Sequence, residues 1–235
     1  MRNVAILRFS PTEGPAYFAD WLDNRGVGRQ LFALDEGAPL PPDPRAFAGI
    51  GMMGGPMSVN DDLPWVDPLC ALLRDAVAAG VPVIGHCLGG QLLAKALGAA
   101  VGRAPTPEIG WIEVEVSATG AADEWFGGRG RFETFQWHNE AFALPVGATR
   151  VLTNRYNENQ AYVVDDRHLG LQGHVEMTRD LVDTWLATGA SELPQTSLPA
   201  RQAAADIGRD LAKHVAALNA VAGDVYARWA ERLRR

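Results

Sequence analysis

The stretch that most constrains the fold of this chain runs from residue 81 to residue 98. It opens with a short apolar run over 81–84, which predicts a buried strand. Apolar residues then recur every three or four positions, which predicts an α-helix; they are Leu88, Leu92, Leu93, Ala96 and Leu97. Cys87 stands between the two elements, with glycines on both sides that permit a tight backbone corner.

A cysteine at such a corner is presented outward at the start of a helix. The free amides and the positive dipole end of that helix favour the thiolate, which is the attacking form of cysteine. In the nucleophile elbow of hydrolases a serine occupies the corresponding place. We therefore interpret Cys87 as a nucleophile rather than as a small buried hydrophobic residue.

Ahead of Cys87, apolar runs alternate with helical patterns. Strands are predicted over 4–9, 30–34 and 49–53, and helices over 13–24 and 66–79. Alternation of this kind indicates an α/β fold, with a mostly parallel central sheet covered by helices on both faces. The predicted architecture is a flavodoxin-like three-layer sandwich, and 235 residues are enough to bury its core.

Downstream of residue 98 the pattern changes. We predict a small appended antiparallel sheet from five further strand-like runs: 109–116, 132–137, 151–153, 160–164 and 169–176. Residues 118–130 are interpreted as a glycine-rich loop, and 179–186 as a helix.

The composition shifts beyond residue 189, so we predict one domain over 1–189 and a helical extension over 190–235. Apolar residues recur at helical spacing from Ile207 to Trp229, which predicts one long amphipathic helix with an interruption at Gly223. This helix is expected either to pack on the domain or to form a homodimer contact.

Composition excludes several functional classes. A net charge of −7 argues against a nucleic-acid partner, because such proteins usually present a basic face. No apolar run approaches the roughly 20 residues that span a bilayer, and no signal-peptide pattern is visible, so we expect no membrane association and a cytoplasmic location. The two cysteines form no disulfide framework or zinc spacing, and we expect neither a metal nor a cofactor.

A nucleophilic cysteine needs a base, usually a histidine, and a third group that orients the base. The chain has five histidines. The side chain of His86 should point to the other side of the strand from Cys87, which makes it an unsuitable base. We predict that His168 and His214 lie on the surface, since they follow a charged turn and sit among charged helix neighbours.

His138 and His174 remain, and each follows a predicted strand. Glu176 lies two positions after His174, on the same side of an extended backbone. It can therefore accept a hydrogen bond from one ring nitrogen of His174 and leave the other for Cys87. Spacing alone also allows His174 to be a hydrogen-bonded core residue. The second cysteine, Cys70, shares the apolar side of the predicted helix 66–79 and is interpreted as core.

Two motifs resemble those of the class I glutamine amidotransferases, in particular the amidotransferase domain of GMP synthase. They are Gly-His-Cys-Leu-Gly-Gly-Gln at 85–91 and Gln-Gly-His-Val-Glu at 172–176. The Gly-Gly-Pro at 54–56 is similar to the oxyanion strand of that family, and the Trp-His-Asn-Glu at 137–140 to a segment of its glutamine pocket. The chain departs from the family where Val175 replaces the usual proline and Glu140 the usual aspartate.

The resemblance implies that Cys87 attacks the side-chain amide of L-glutamine and forms a thioester. His174 would be the base, and Glu176 would hold its ring. The backbone amides of Gly55 and Leu88 would stabilise the oxyanion. The resemblance further implies a set of glutamine-binding residues: Gln91, Trp137, His138 and Asn139.

No ATP-binding pyrophosphatase signature follows residue 189, so we expect any synthetase subunit that receives the ammonia to be a separate partner chain. Two alternatives stay open. The first is a γ-glutamyl hydrolase that acts on a γ-glutamyl conjugate by the same thioester chemistry. The second is a binding or redox-sensing protein that keeps the thiol but has no turnover.

Overall fold

The structure of the chain, a computed structural model, describes residues 2–234. Within that range nine strands form a single sheet. They are β1 (Val4–Arg8), β2 (Arg29–Ala33), β3 (Gly49–Met52), β4 (Val83–His86), β5 (Val101–Val116), β6 (Arg131–Phe142), β7 (Thr149–Thr153), β8 (Ala161–Val164) and β9 (His168–Leu171).

Helices cover this sheet. They are α1 (Ala16–Asn24), α2 (Val66–Ala78), α3 (Leu88–Ala96), α4 (Gly120–Phe126), α5 (Arg179–Thr188), α6 (Ala204–Ile207) and α7 (Leu211–Ala230). In the part of the chain that the structure describes, no helix is both long and apolar enough to cross a membrane.

The sheet has the order β2-β1-β3-β4-β9-β8-β7-β5-β6, and its first five strands are parallel. Alternate residues of β1 enter different cores, as expected for a strand that is buried on both faces. Val4 and Ile6 pack with α1 and α7, whereas Ala5 and Leu7 pack with α2 and α3. The predicted α/β three-layer fold is confirmed.

The antiparallel strands continue the parallel sheet and do not form a separate small one. One edge of β9 pairs with β4 in parallel, and its other edge pairs with β8 in antiparallel orientation. From there β7, β5 and β6 follow in series, each antiparallel to its neighbour. This connection carries the long β5–β6 hairpin to the carboxyl end of the parallel strands.

The prediction of a loop over 118–130 is wrong, because the segment contains α4. The side chain of Thr119 caps this helix by accepting a hydrogen bond from the amide of Ala122. Trp125 and Phe126 are fully buried, and Gly127 ends the helix with a φ of 63°. Two aromatic side chains packed into the core outweigh the glycines that suggested a loop.

The C-terminal region folds as two helices, α6 and α7, with the break at Asp210 and not at Gly223. Asp210 adopts a left-handed conformation with a φ of 52°, and α7 then continues through Gly223. The burial of Val225, Tyr226 and Trp229 anchors α7 to the sheet, where Trp229 lies 5.6 Å from the ring of Phe18 in α1.

The corner after β4 leaves no room for a side chain at Gly85. A Cβ on Gly85 would lie 2.4 Å from the carbonyl carbon and oxygen of Gly89, which are backbone atoms. Gly85→Ala should therefore lower the free energy of unfolding by about 1–3 kcal/mol, the usual cost of overpacking. Urea denaturation measures this change. Gly102→Ala is the matched control, since a Cβ there meets nothing within 4 Å, and equal denaturation midpoints for the two variants would contradict the expectation.

Candidate active site

Cys87 lies at the predicted corner, between the end of β4 and the start of α3. Its φ of 47° and ψ of −107° are rare for a residue with a side chain, and such strain persists only where the surroundings hold it. The amide of Cys87 donates to the carbonyl oxygen of Leu171 (2.9 Å), and the amide of Gly89 donates to that of Met53 (3.1 Å). The backbone is thus fixed on both sides of the thiol.

His174 and Glu176 form a buried pair. The ring Nδ1 of His174 donates to Oε1 of Glu176 at 2.6 Å, and both side chains are almost fully enclosed. The indole of Trp185 packs against the imidazole at a centroid distance of 4.6 Å with the rings nearly perpendicular. The other ring nitrogen, Nε2, is buried and has no hydrogen-bond partner among residues 2–234.

Neighbouring charges favour the protonated form of His174. Burial lowers its pKa, but the negative charges of Glu176 and of the Cys87 thiolate outweigh burial, so the pKa of His174 lies well above its usual value. Burial acts to raise the pKa of Glu176, yet the imidazolium of His174 brings it below its usual range. The three groups therefore form an electrostatically coupled set.

The predicted strand over 169–176 is wrong in its second half, because β9 ends at Leu171. His174 is nevertheless held by a single bridge to β6, in which its amide donates to the carbonyl oxygen of Phe135 at 2.8 Å. The carbonyl oxygen of Glu176 accepts a hydrogen bond from the amide of Tyr17 at 3.0 Å. The pairing of His174 with Glu176 is therefore made by an irregular segment anchored at both residues.

His86 is buried on the far side of β4. Its Nδ1 donates to the carbonyl oxygen of Met52 (3.0 Å), so its Nε2 accepts a hydrogen bond from the hydroxyl of Tyr226 (3.1 Å). Burial lowers the pKa of His86. The same Nε2 lies 4.0 Å from Oε2 of Glu176, so α7 reaches the back of the His174–Glu176 pair through Tyr226.

The prediction of a surface position for His168 is wrong. Asp165 and Asp166 both have positive φ values, as in the tight turns that join antiparallel strands, and His168 already begins β9. Its side chain is buried, and burial lowers its pKa to about 4. His214 is half-buried, stacked on Trp111 with a centroid distance of 5.0 Å.

Gly55 and Leu88 lie next to each other. A Cβ on Gly55 would come within 2.6 Å of Cδ2 of Leu88, which shows how closely the two segments approach. Leu88 is the first residue of α3, so its amide cannot bond within the helix. Among the described residues, neither of these two amides donates to a protein acceptor. Two N–H groups are thus available next to Cys87.

A cavity of about 360 Å³ opens above Cys87. Its lining includes the residues that sequence comparison with the family had suggested: Gly55, Gln91, Trp137, His138 and Asn139. The side chains of His174 and Leu88 are not part of the lining. The structure thus brings the predicted residues to one cavity and its floor.

Four residues around the cavity were not predicted. Gln172 places its Nε2 3.8 Å from the sulfur of Cys87, and its Oε1 accepts from Nε2 of Gln91 at 3.4 Å. Glu13, Trp185 and Glu192 line the cavity. Gln172 stands inside the motif at 172–176, which is a signal that could have found it. The other three come from segments without any such motif.

A buried carboxylate, Glu108, supports the pocket strand from behind. It lies 3.1 Å from Nε2 of His138 and accepts hydrogen bonds from Asn154 (2.6 Å) and Gln160 (2.7 Å). Burial raises the pKa of Glu108, but His138 and the amide donors bring it below its usual value. The other ring nitrogen of His138 donates to the carbonyl oxygen of Glu140 (2.9 Å). This network fixes the backbone that faces the cavity.

Within residues 2–234 no group of three or more His, Cys, Asp or Glu side chains is arranged to hold a metal ion. Comparison with protein families identifies the chain. The model of the family described as glutamine amidotransferase class-I matches residues 24–187, which is more than half of the sequence. The chain belongs to the class I glutamine amidotransferases.

Solved structures and curated proteins agree with this family. The crystal structure of a glutamine amidotransferase from Methylobacillus flagellatus is 45% identical, has a TM-score of 0.98, and covers 100% of this chain and 96% of that one. The glutamine amidotransferase-like protein YfeJ of Salmonella typhimurium is 29% identical over 77% of this chain and 78% of its own length.

Two further curated relatives carry other names. The glutamine-hydrolysing GMP synthase of Aeropyrum pernix is 37% identical over 61% of this chain, but the match spans only 28% of that longer protein. Gamma-glutamyl peptidase 4 of Arabidopsis thaliana is 27% identical over 73% of this chain and 72% of its own length.

Proposed function

We propose that this amidotransferase hydrolyses the side-chain amide of L-glutamine through a thioester on Cys87. The observation that carries the proposal is the state of His174. Its ring is held by Glu176 at 2.6 Å, and its buried Nε2 has no hydrogen-bond partner. A buried polar atom without a partner is costly, so the site is built to complete this bond during the reaction.

In the proposed reaction the thiolate of Cys87 attacks the amide carbon, and the imidazolium of His174 gives its proton to the departing nitrogen. The C–N bond breaks, the C–S bond forms and ammonia leaves. His174 then takes a proton from water, whose hydroxide attacks the thioester and releases glutamate. The amides of Gly55 and Leu88 donate to the oxyanion of each tetrahedral intermediate.

In this proposal Gln91, Trp137, His138 and Asn139 bind the glutamyl part of the substrate. They line the cavity beside Cys87, and the Glu108 network holds their strand in place. We further propose that a synthetase on a separate chain uses the ammonia, since residues 190–234 fold mainly as the helices α6 and α7.

Mass spectrometry after treatment with a glutamine-mimicking electrophile tests this function. We expect one adduct, located on Cys87. The second thiol, Cys70, is an internal control, because burial raises its pKa and makes it less reactive. Labelling of Cys70 alone, or equal labelling of both thiols, would contradict the proposal.

A second candidate is the hydrolysis of a γ-glutamyl conjugate, which uses the same thioester. The similarity to gamma-glutamyl peptidase 4 favours it. Measuring ammonia release from glutamine against amine release from γ-glutamyl amines separates the two candidates. No ammonia from glutamine, together with amine release, would select the second.

A further inference from the structure

The cavity above Cys87 carries charges of one sign. Its lining contains the carboxylates of Glu13, Glu140 and Glu192, and among the described residues it contains no lysine or arginine. The cavity is a ligand site for reasons independent of these carboxylates. It opens onto the strained Cys87 corner, and the buried Nε2 of His174 beneath it lacks a partner.

Glu13 lies on the imidazole side of the site. A Cβ on Gly54 would be 2.2 Å from Oε2 of Glu13 and 2.8 Å from Cε1 of His174, so the carboxylate and the ring edge border the same small space. Among residues 2–234 no hydrogen bond or ion pair engages the side chain of Glu13. In contrast, Oε2 of Glu140 already accepts a hydrogen bond from the hydroxyl of Ser58 at 2.8 Å.

The leaving group of the proposed reaction must also lie on the imidazole side, because His174 gives its proton to the departing nitrogen. A substituent on that nitrogen therefore extends toward Glu13. Glu192 is exposed at the edge of the same cavity, and its charge acts on Glu13. Two carboxylates thus face the space into which a leaving amine would project.

We propose that the enzyme accepts γ-glutamyl amides whose leaving amine carries a second, cationic group, such as a γ-glutamyl conjugate of a diamine. This inference rests on the proposed function and names a substrate class for the same site. The thiolate forms the C–S bond, the C–N bond breaks, and the proton on His174 passes to the departing diamine; water then hydrolyses the thioester. A cationic group would pair with the free carboxylate, whereas an anionic one would meet uncompensated negative charge.

The ionisation of Glu13 adds a dependence on pH. Loss of hydration raises the pKa of Glu13 to about 7, helped by the charges of Glu176 and Glu192 and opposed by that of His174. The carboxyl group is neutral below this pKa and charged above it. The preference for a cationic leaving group should therefore increase from pH 6 to pH 8.

Three γ-glutamyl amides of nearly equal size test the inference: the conjugates of 1,4-diaminobutane, pentylamine and 4-aminobutyrate. Their leaving groups end in a cation, a methyl group and an anion. We expect kcat/KM at pH 8 to be about 10-fold higher for the cationic substrate than for the neutral one, which corresponds to about 1.4 kcal/mol, and lowest for the anionic one.

The ratio between cationic and neutral substrates within each variant cancels any general loss of activity or fold. Glu13→Gln should reduce this ratio to less than about 3-fold, and Glu192→Gln should reduce it less, because Glu192 is exposed. Glu115→Gln is the matched control, an exposed carboxylate that does not line the cavity, and it should leave the ratio unchanged.

The outcomes separate the inference from the function on which it rests. Equal rates for the three conjugates, a preference for the anionic one, or hydrolysis of glutamine alone would overturn the inference and leave the proposed function intact. A cationic preference that persists in Glu13→Gln would overturn the role of Glu13. If no substrate reacts and no adduct forms on Cys87, the proposed function fails and the inference fails with it.

Discussion

Replacing Cys87 by alanine should abolish ammonia release from glutamine, with a loss in kcat of about 10⁵-fold or more, as expected when a covalent nucleophile is removed. The physical reason is that the alanine side chain cannot form the thioester. The corner itself should survive, since the two backbone bonds at Cys87 and Gly89 do not involve the thiol. Ammonia release, coupled to a spectrophotometric assay, measures the effect.

Cys70→Ala is the matched control for this prediction. Cys70 packs in the core on α2 among Leu69 and Leu73, so its loss should lower stability by a modest amount and leave kcat nearly unchanged. If Cys87→Ala retained activity, or if Cys70→Ala were the inactive variant, the proposed chemistry would be wrong.

His174→Gln should slow thioester formation by about 10³-fold, within the range of a general acid–base residue. Glutamine fills a similar volume but cannot carry the proton to the leaving nitrogen. The rate of Cys87 acylation in a single-turnover experiment measures this step directly. Glu176→Gln should have a smaller effect in the same direction, because Glu176 orients the ring and contributes its charge without touching the substrate.

His214→Gln serves as the control for this series. His214 is half-buried on α7 and bonded to Glu133, and it does not line the cavity above Cys87. Equal acylation rates for His174→Gln and the unmodified chain would favour the remaining alternative, a protein that uses the thiol for binding or redox sensing and has no triad.

The position of Tyr226 gives the C-terminal helix a place in the site. Its hydroxyl donates to His86, whose other ring nitrogen donates to the carbonyl oxygen of Met52 in β3. His86 lies 4.0 Å from Glu176. The helix α7 is therefore packed directly behind the His174–Glu176 pair, and its contacts help to fix the carboxylate that holds the imidazole.

Local patterns predicted much of the molecule. Strand and helix periodicity placed β1, β3, α2 and α3 within a few residues of their observed bounds, because each of these elements is decided by burial along its own length. The same patterns failed over 118–130 and near Asp210. There the outcome depends on distant contacts, such as the burial of Trp125 in the core beside α7.

The sequence by itself determined the corner at Cys87, because glycines at 85 and 89 and an apolar run on each side leave few other conformations for that stretch. It also determined that Glu176 could reach His174, since the two are only two positions apart. Only the tertiary structure decided what surrounds them. Glu13 follows β1, Trp185 lies on α5 and Glu108 lies on β5, and no local rule brings them together. Sheet order and packing place all three around the site, and with them the charge of the cavity that receives the substrate.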